Sequence, residues 1–311
     1  MKTRYILILI TFSTLIALFS CETTEKIDDF PLRPAKLVVN SFFTEGREMK
    51  IQVSKSLSVL DNADLKLIDD AEIKIYRGTE LINSIEGADP DGLYTADGLI
   101  PEADVGYRIE VLSPGFERAA GASSNVPRAV KIEDVSYVIS ESTIYEGTNS
   151  YGYYYGGTIK GSMNVFLKDP PERDNYYYLS AVYYDTVYQS PDSLEFEIRM
   201  RHLSLSSDDG AISKDGSVMI GLFFTDDIFN GQNYSLKVDF EDGRGKRGRV
   251  YHLELVSFSK AAYLYRITNN EFQKSRNDPF SEPVQVYSNI ENGYGIFAGY
   301  SVDVYEVVMV E

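Results

Sequence analysis

Apolar and polar side chains alternate one by one through much of this chain, and that period confines it to strands. Met49, Ile51 and Val53 alternate with Lys50, Gln52 and Ser54; Ala71, Ile73 and Ile75 with Glu72 and Lys74; Tyr107, Ile109 and Val111 with Arg108 and Glu110. Successive side chains of a strand point to opposite faces, so each stretch predicts a strand with one face buried. Asp91-Gly92, Asp97-Gly98 and Pro114-Gly115 separate the stretches as turns. About seven short strands between Leu37 and Pro127 predict a small β-sandwich. Its topology is immunoglobulin-like or transthyretin-like, and one sequence does not separate the two.

The pattern resumes after Ala129. Strands are expected at Val130–Ile139, Gly161–Lys168, Tyr176–Tyr184, Leu194–His202, Val218–Phe224, Tyr234–Phe240 and Val250–Phe258. Leu194–His202 alternates throughout, with Glu195, Glu197, Arg199 and Arg201 on its polar face. One helix is expected near 259–275. Ser259 caps it, Ala261, Leu264, Tyr265 and Phe272 form its apolar stripe, and Asn277-Asp278-Pro279 ends it. Val284–Tyr287 and Val302–Val310 read as further strands. The expected fold is mainly β: an N-terminal β-sandwich over 36–128 and a C-terminal β-rich domain over 129–311, with one packed α-helix.

Residues 1–20 read as a leader. Lys2 and Arg4 precede the apolar run Tyr5 to Phe19, which ends at Ser20-Cys21. An apolar core of about 7–15 residues suits a secretory signal, whereas a spanning helix needs about 20. A small residue before cysteine is the layout of a lipoprotein signal, cleaved so that the Cys21 thiol carries a diacylglycerol with fatty acyl chains such as palmitate. An ordinary signal peptide beside an incidental cysteine is the alternative. Cys21 is the single cysteine, so no intramolecular disulfide is available and the fold must stand on its core. Acyl chains contribute about 0.8 kcal/mol per buried methylene, so two or three anchor firmly. Residues 21–35 read as a lipidated flexible tether: apolar periodicity is lacking, and Pro31 and Pro34 block regular structure. The fourteen residues after Cys21 reach about 45 Å when extended. Glu22, Glu25, Asp28 and Asp29 resemble the acidic export signal of surface-exposed lipoproteins of Bacteroidota.

Charge narrows the partners. The formal net charge is −17, and removal of Lys2 and Arg4 with the leader takes it to −19. Such a field repels nucleic acid and anionic lipid. Its dispersion along the chain marks a solvated surface rather than a dedicated site. Asp89, Asp91 and Asp97, and Asp208, Asp209 and Asp215, offer oxygens suited to calcium, but EF-hand spacing is missing and Asp-Gly turns account for both clusters. His202 and His252 lie singly within expected strands, without zinc-site spacing. Gly293, Gly295 and Gly299 follow an expected strand, but a dinucleotide site needs a helix next, and Val302–Val310 reads as strand. A glycine-rich turn between strands is the expectation. No catalytic, cofactor or metal residue is nominated, and the chain is not expected to be an enzyme.

Tyrosine is the exception to this plainness. There are 24, with no tryptophan. Tyr151, Tyr153, Tyr154 and Tyr155 sit with Tyr145 in the Gly-rich stretch 146–157, a composition shared with adaptable binding loops. They are the candidates for a partner-binding loop, and a hairpin tip with tyrosines flanking its strands is the plain alternative. Asp185-Thr186-Val187 and Asp192-Ser193-Leu194 resemble a short O-glycosylation sequon of exported Bacteroidota proteins, nominating Thr186 and Ser193.

Several segments together carry a family resemblance. They are Lys36-Leu-Val-Val-Asn40, Asp91-Gly-Leu-Tyr94, Gly106 to Gly115, Ser124-Asn-Val-Pro127, Phe224 to Gly231 and, most specifically, Phe280 to Gly299. With the lipoprotein signal they resemble the Bacteroidota lipoprotein family catalogued as domain of unknown function 4249. Its members are often encoded beside TonB-dependent outer-membrane receptors. The resemblance implies an outer-membrane, lipid-anchored protein, exposed at the cell surface if the acidic tether acts as an export signal. It implies a non-enzymatic accessory or binding partner of such a receptor in nutrient uptake. It supplies no catalytic residues. A surface adhesin or structural lipoprotein without a transport role is the alternative.

Overall fold

The alternation read from the sequence becomes a set of strands that bury one face each. The computed structural model describes residues 34–58, 64–149, 152–172, 174–188, 196–218, 220–246, 248–276 and 280–309, excluding the side chains of 122–124, 146, 148, 149, 152–155, 187, 188 and 214–218. The first strands are β1 (Leu37–Phe43), β2 (Lys50–Lys55), β3 (Glu72–Arg77), β4 (Glu80–Glu86), β5 (Leu93–Thr95), β6 (Gly106–Leu112) and β7 (Ala119–Asn125). Next come β8 (Ile132–Ser142), β9 (Tyr145–Asn149), β10 (Gly152–Gly156), β11 (Ile159–Lys168), β12 (Tyr176–Tyr188) and β13 (Phe196–His202). They are followed by β14 (Ser204–Ser206), β15 (Ile212–Val218), β16 (Gly221–Thr225), β17 (Asn233–Asp242) and β18 (Val250–Phe258). Helix α1 (Lys260–Ser275), β19 (Ile290–Glu291) and β20 (Tyr294–Val308) come last. The protein is mainly β, with stacked sheets and, among the described residues, one helix.

One long sheet serves two cores. Its order is β15-β16-β12-β18-β20-β1-β2-β5, with β13 paired to β12. A five-stranded sheet, β19-β7-β6-β3-β4, faces one half. Between them lie Val39, Ile51, Val53, Ile73, Ile75, Tyr107, Ile109, Val111 and Phe297, all fully buried. A four-stranded sheet, β14-β17-β11-β8, faces the other half. That core holds Val165, Leu179, Leu222, Phe224, Leu236, Val238, Leu253 and Leu255. Each large apolar side chain so buried contributes about 1.5–3 kcal/mol. The cores divide between Val126 and Val130, yet Ile290 and Phe297 return to the first.

That return is made by β20. Its first half runs parallel to β1, Val38 opposite Tyr294 through Phe43 opposite Gly299. Its second half runs antiparallel to β18, Tyr300 opposite Phe258 through Val308 opposite Val250. Fifteen residues at about 3.3 Å each give a strand of about 50 Å that belongs to both sandwiches. Helix α1 packs on the outer face of the long sheet where the halves meet. There Phe42, Phe223, Phe258, Ile296, Ala298 and Tyr300 gather against Ala262 and Tyr263.

Four expectations change in detail. Val218–Phe224 is not one strand: Val218 stands opposite Gly221, and the chain reverses between β15 and β16. Gly221 lets β16 lie close against β12, because a Cβ there would lie 2.5 Å from the Tyr178 ring and 2.6 Å from the Leu179 carbonyl oxygen. Val284–Tyr287 is not a strand. The Tyr287 N–H instead donates to Thr268 Oγ1 at 2.9 Å, tying the segment to α1. Asn289 then imitates a strand with its side chain, donating to the Phe297 carbonyl at 2.8 Å and accepting from the Phe297 N–H at 2.9 Å. The helix has the expected Ser259 cap, with Oγ accepting from the Ala262 N–H, but its buried face is Ala262 and Tyr263 while Phe272 is exposed. Finally, Gly293 alone of the three glycines lies in a turn. Gly295 (φ +102°) and Gly299 lie inside β20, pressed against the Val39 and Asn125 carbonyl oxygens at 2.2 Å from where a Cβ would sit.

Candidate functional site

A concavity lies where the two sandwiches adjoin. It encloses about 460 Å³. Asp104 lines it from the loop before β6, Arg128 from the link between the cores, Glu172, Asn175 and Tyr176 from the approach to β12, and Lys260 from the start of α1. Arg128 Nε donates to Asp104 Oδ2 at 2.5 Å across the rim. Two buried carboxylates stiffen its wall. Asp169 accepts from Tyr177 Oη at 2.5 Å and the Gly231 N–H at 2.8 Å. Asp226 accepts from the Asn175 N–H at 3.1 Å and Asn175 Nδ2 at 3.2 Å. Burial raises both carboxyls above the ordinary aspartate value, while those hydrogen bonds pull them back. Their oxygens are used in holding residues 226–231 against β12, so they act as fasteners. The cleft has both signs of charge and suits a small polar molecule, but it brings no nucleophile up to a base.

A second buried ionic group lies at the far end of the second core. Arg249 donates from Nη1 to Asp242 Oδ2 at 2.7 Å and from Nη2 to Asp185 Oδ1 at 2.8 Å. Its guanidinium carbon stands 3.9 Å from the centre of the Tyr183 ring. Tyr251 Oη donates to Asp242 at 2.6 Å. Burial opposes the charge on Arg249, and Asp242 and Asp185 outweigh it, so its pKa lies above the ordinary guanidinium value. Burial first, then the neighbouring carboxylates, pushes Tyr183 up to about 12. This network closes the core between β12, β17 and β18. The sequence signals only its members' residue types, since they lie far apart along the chain.

The tyrosine stretch forms a hairpin of its own, β9 on β10, with Tyr153 opposite Thr148, Tyr154 opposite Gly147 and Tyr155 opposite Glu146. Tyr145 at its base is exposed. Tyr151 lies outside the described residues, as do Ser193 and Cys21. Thr186 is exposed on β12 opposite Ile198. Neither Thr186 nor a described residue of the hairpin is among those that line the cleft. Other tyrosines are core hydrophobes whose hydroxyls pin loops. Tyr94 Oη donates to the Ile68 carbonyl and accepts from the Ala71 N–H, and Tyr107 Oη accepts from the Glu102 N–H.

One aspartate of each cluster is used within the fold, and the side chain of Asp215 lies outside the described residues. Asp89 Oδ1 accepts from the Asp91 and Leu93 N–H groups, and Asp209 Oδ1 accepts from the Ala211 N–H and Tyr234 Oη. Among the described residues no three His, Cys, Asp or Glu side chains come together as metal ligands. His202 and His252 face Val182 from either side. They stand two strand spacings apart, about 10 Å between backbones, and no third ligand joins them among the described residues.

The feature that sequence reading missed is an exposed apolar face. On β13, Phe196, Ile198 and Met200 are 57%, 63% and 54% exposed. Tyr184 on β12, Val250 on β18 and Val302, Val304 and Val308 on β20 extend the exposure along the outer side of the long sheet. Helix α1 covers this side only near Tyr176, Tyr178, Phe258 and Tyr300. The signal was the faultless alternation of 194–202, which states that one face is apolar but not whether anything covers it.

A family model described as a domain of unknown function (DUF4249) matches residues 21–306. No curated protein matches the chain.

Proposed function

The chain belongs to the DUF4249 family, and on that premise we propose that it is a non-enzymatic outer-membrane lipoprotein that accompanies a TonB-dependent receptor in nutrient uptake. The observation that carries the reading is Cys21. It ends a charged-then-apolar leader, and the family match begins at that residue. A thioether to lipid there leaves 22–35 as a spacer between the bilayer and the first strand. The partnership with a receptor rests on the family resemblance. The exposed apolar face of the long sheet supports it, since such a face needs a partner. Neither the cleft nor the buried ionic group offers converging reactive groups, which favours binding over catalysis.

A structural or adhesive lipoprotein is the second reading, favoured by the separate tyrosine hairpin. Purification of the lipidated protein from native outer membranes in mild detergent, with mass spectrometry of what accompanies it, separates the two. A stoichiometric TonB-dependent receptor is expected. Recovery without a receptor, alongside a Cys21→Ala control that is released from the membrane, favours the second. If Cys21→Ala stays membrane-bound, the anchor assignment fails.

A further inference from the structure

Strand β13 ends the β12 side of the long sheet. Among the described residues it pairs with β12 alone, Phe196 opposite Tyr188 through His202 opposite Val182. Among the described residues no strand pairs with its outer edge, which offers a template for a further strand. Natural edges of this kind are usually protected by charge, because like charges repel a second copy. Here the order of the charges does the reverse. Reading outward from Ile198, Glu197 and Phe196 lie on one side and Arg199 and Met200 on the other.

A two-fold axis at Ile198 brings Glu197 opposite Arg199 of the partner subunit and Arg199 opposite Glu197 of the partner subunit. It sets Phe196 against the partner's Met200, and Ile198 against the partner's Ile198. Directly opposed side chains share a face, so ionic pairs meet on one side of the sheet and apolar pairs on the other. Neighbouring registers do worse. An axis at Glu197 sets glutamate against glutamate, and one at Arg199 sets arginine against arginine. An axis between residues pairs apolar with polar positions and turns the faces over. Within one molecule Arg199 already donates to Glu197 Oε2, from Nε at 2.9 Å and Nη2 at 2.8 Å. Across the axis the two such pairs stand side by side with unlike charges adjacent.

We propose that β13 joins two copies of this chain as antiparallel neighbours about a two-fold axis at Ile198, so that their long sheets run on as one. The dimer extends the apolar face of Tyr184, Ile198 and Met200 across the axis, doubling the surface available to a third partner. This inference does not depend on the anchor or on any receptor.

The test is Ile198→Cys in the full chain, oxidised in mild detergent. Opposed residues of antiparallel strands have Cα atoms about 4.5–5.5 Å apart, within disulfide range. A covalent homodimer is expected, above the background set by the parent chain with Cys21 alone. Val138→Cys, exposed on β8, is expected to stay at that background. Adding Glu197→Arg to Ile198→Cys should cut cross-linking by tenfold or more, and adding Arg199→Glu as well should restore it. The proposal is overturned if Ile198→Cys links no better than Val138→Cys, if it links to a different protein, or if the charge reversals leave its yield unchanged.

Discussion

The side chains that decide most here are buried and ionised. Arg249 balances Asp185 and Asp242 inside the second core. Removing one partner of such a group leaves a charge with no water to receive it, at a cost of about 3–5 kcal/mol. Arg249→Met should lose about that much in urea unfolding, and Asp185→Asn with Asp242→Asn should recover part of it. Asp169 has the opposite balance. Burial raises its pKa, so the folded chain holds its proton more tightly than the unfolded chain does. Its contribution to stability therefore falls as pH climbs above about 4, the unfolded value. The melting temperature of Asp169→Asn minus that of the parent should grow more positive from pH 4 to pH 7; a flat or falling difference would show that the hydrogen bonds from Tyr177 and Gly231 outweigh burial. Little of this was legible in the sequence. Nothing local to Asp169, Asp185 or Arg249 tells a buried carboxylate or guanidinium from a solvated one, because burial is decided by strands far away in the chain.

Elements were legible wherever burial follows a local period. Strand β18 spans the residues its alternation indicates, and β1–β7 supply the seven strands expected before Pro127. Ser259 marks the start of α1 because a cap is a local hydrogen bond, here 3.4 Å to the Ala262 N–H. Ser259→Ala should lower stability by about 1 kcal/mol, seen as an earlier urea midpoint with an unchanged slope. The buried stripe of α1 was read in part: Ala261 and Tyr265 pack on the sheet as expected, whereas Tyr263, missed, reaches across to Ser213 Oγ at 2.5 Å, a contact between distant segments. Residues 284–287 have strand composition but bond to Thr268 instead. Phe196, Ile198 and Met200 show the converse: a well-read strand whose apolar side remains exposed. Alternation reports the chemistry of a face, and only the assembled sheets report what covers it.

At the scale of the whole molecule, the two cores share one long sheet. The leading strand β1 lies beside β20, and Phe297 fills the first core. A fragment spanning residues 36–127 lacks that neighbour and that side chain. It should fail to unfold cooperatively on heating, as followed by circular dichroism, whereas residues 35–311 should melt in one transition. The parallel pairing of β1 with β20 also bears on biosynthesis. A chain made from its N-terminus onward offers β1 long before residues 294–299 exist, so even the earliest sandwich waits for the last. Until residues 294–299 are in place, β1 has no neighbour on its β20 side. A product cut short by a premature stop never acquires the native seam, and quality control can distinguish it from the finished protein by that defect alone.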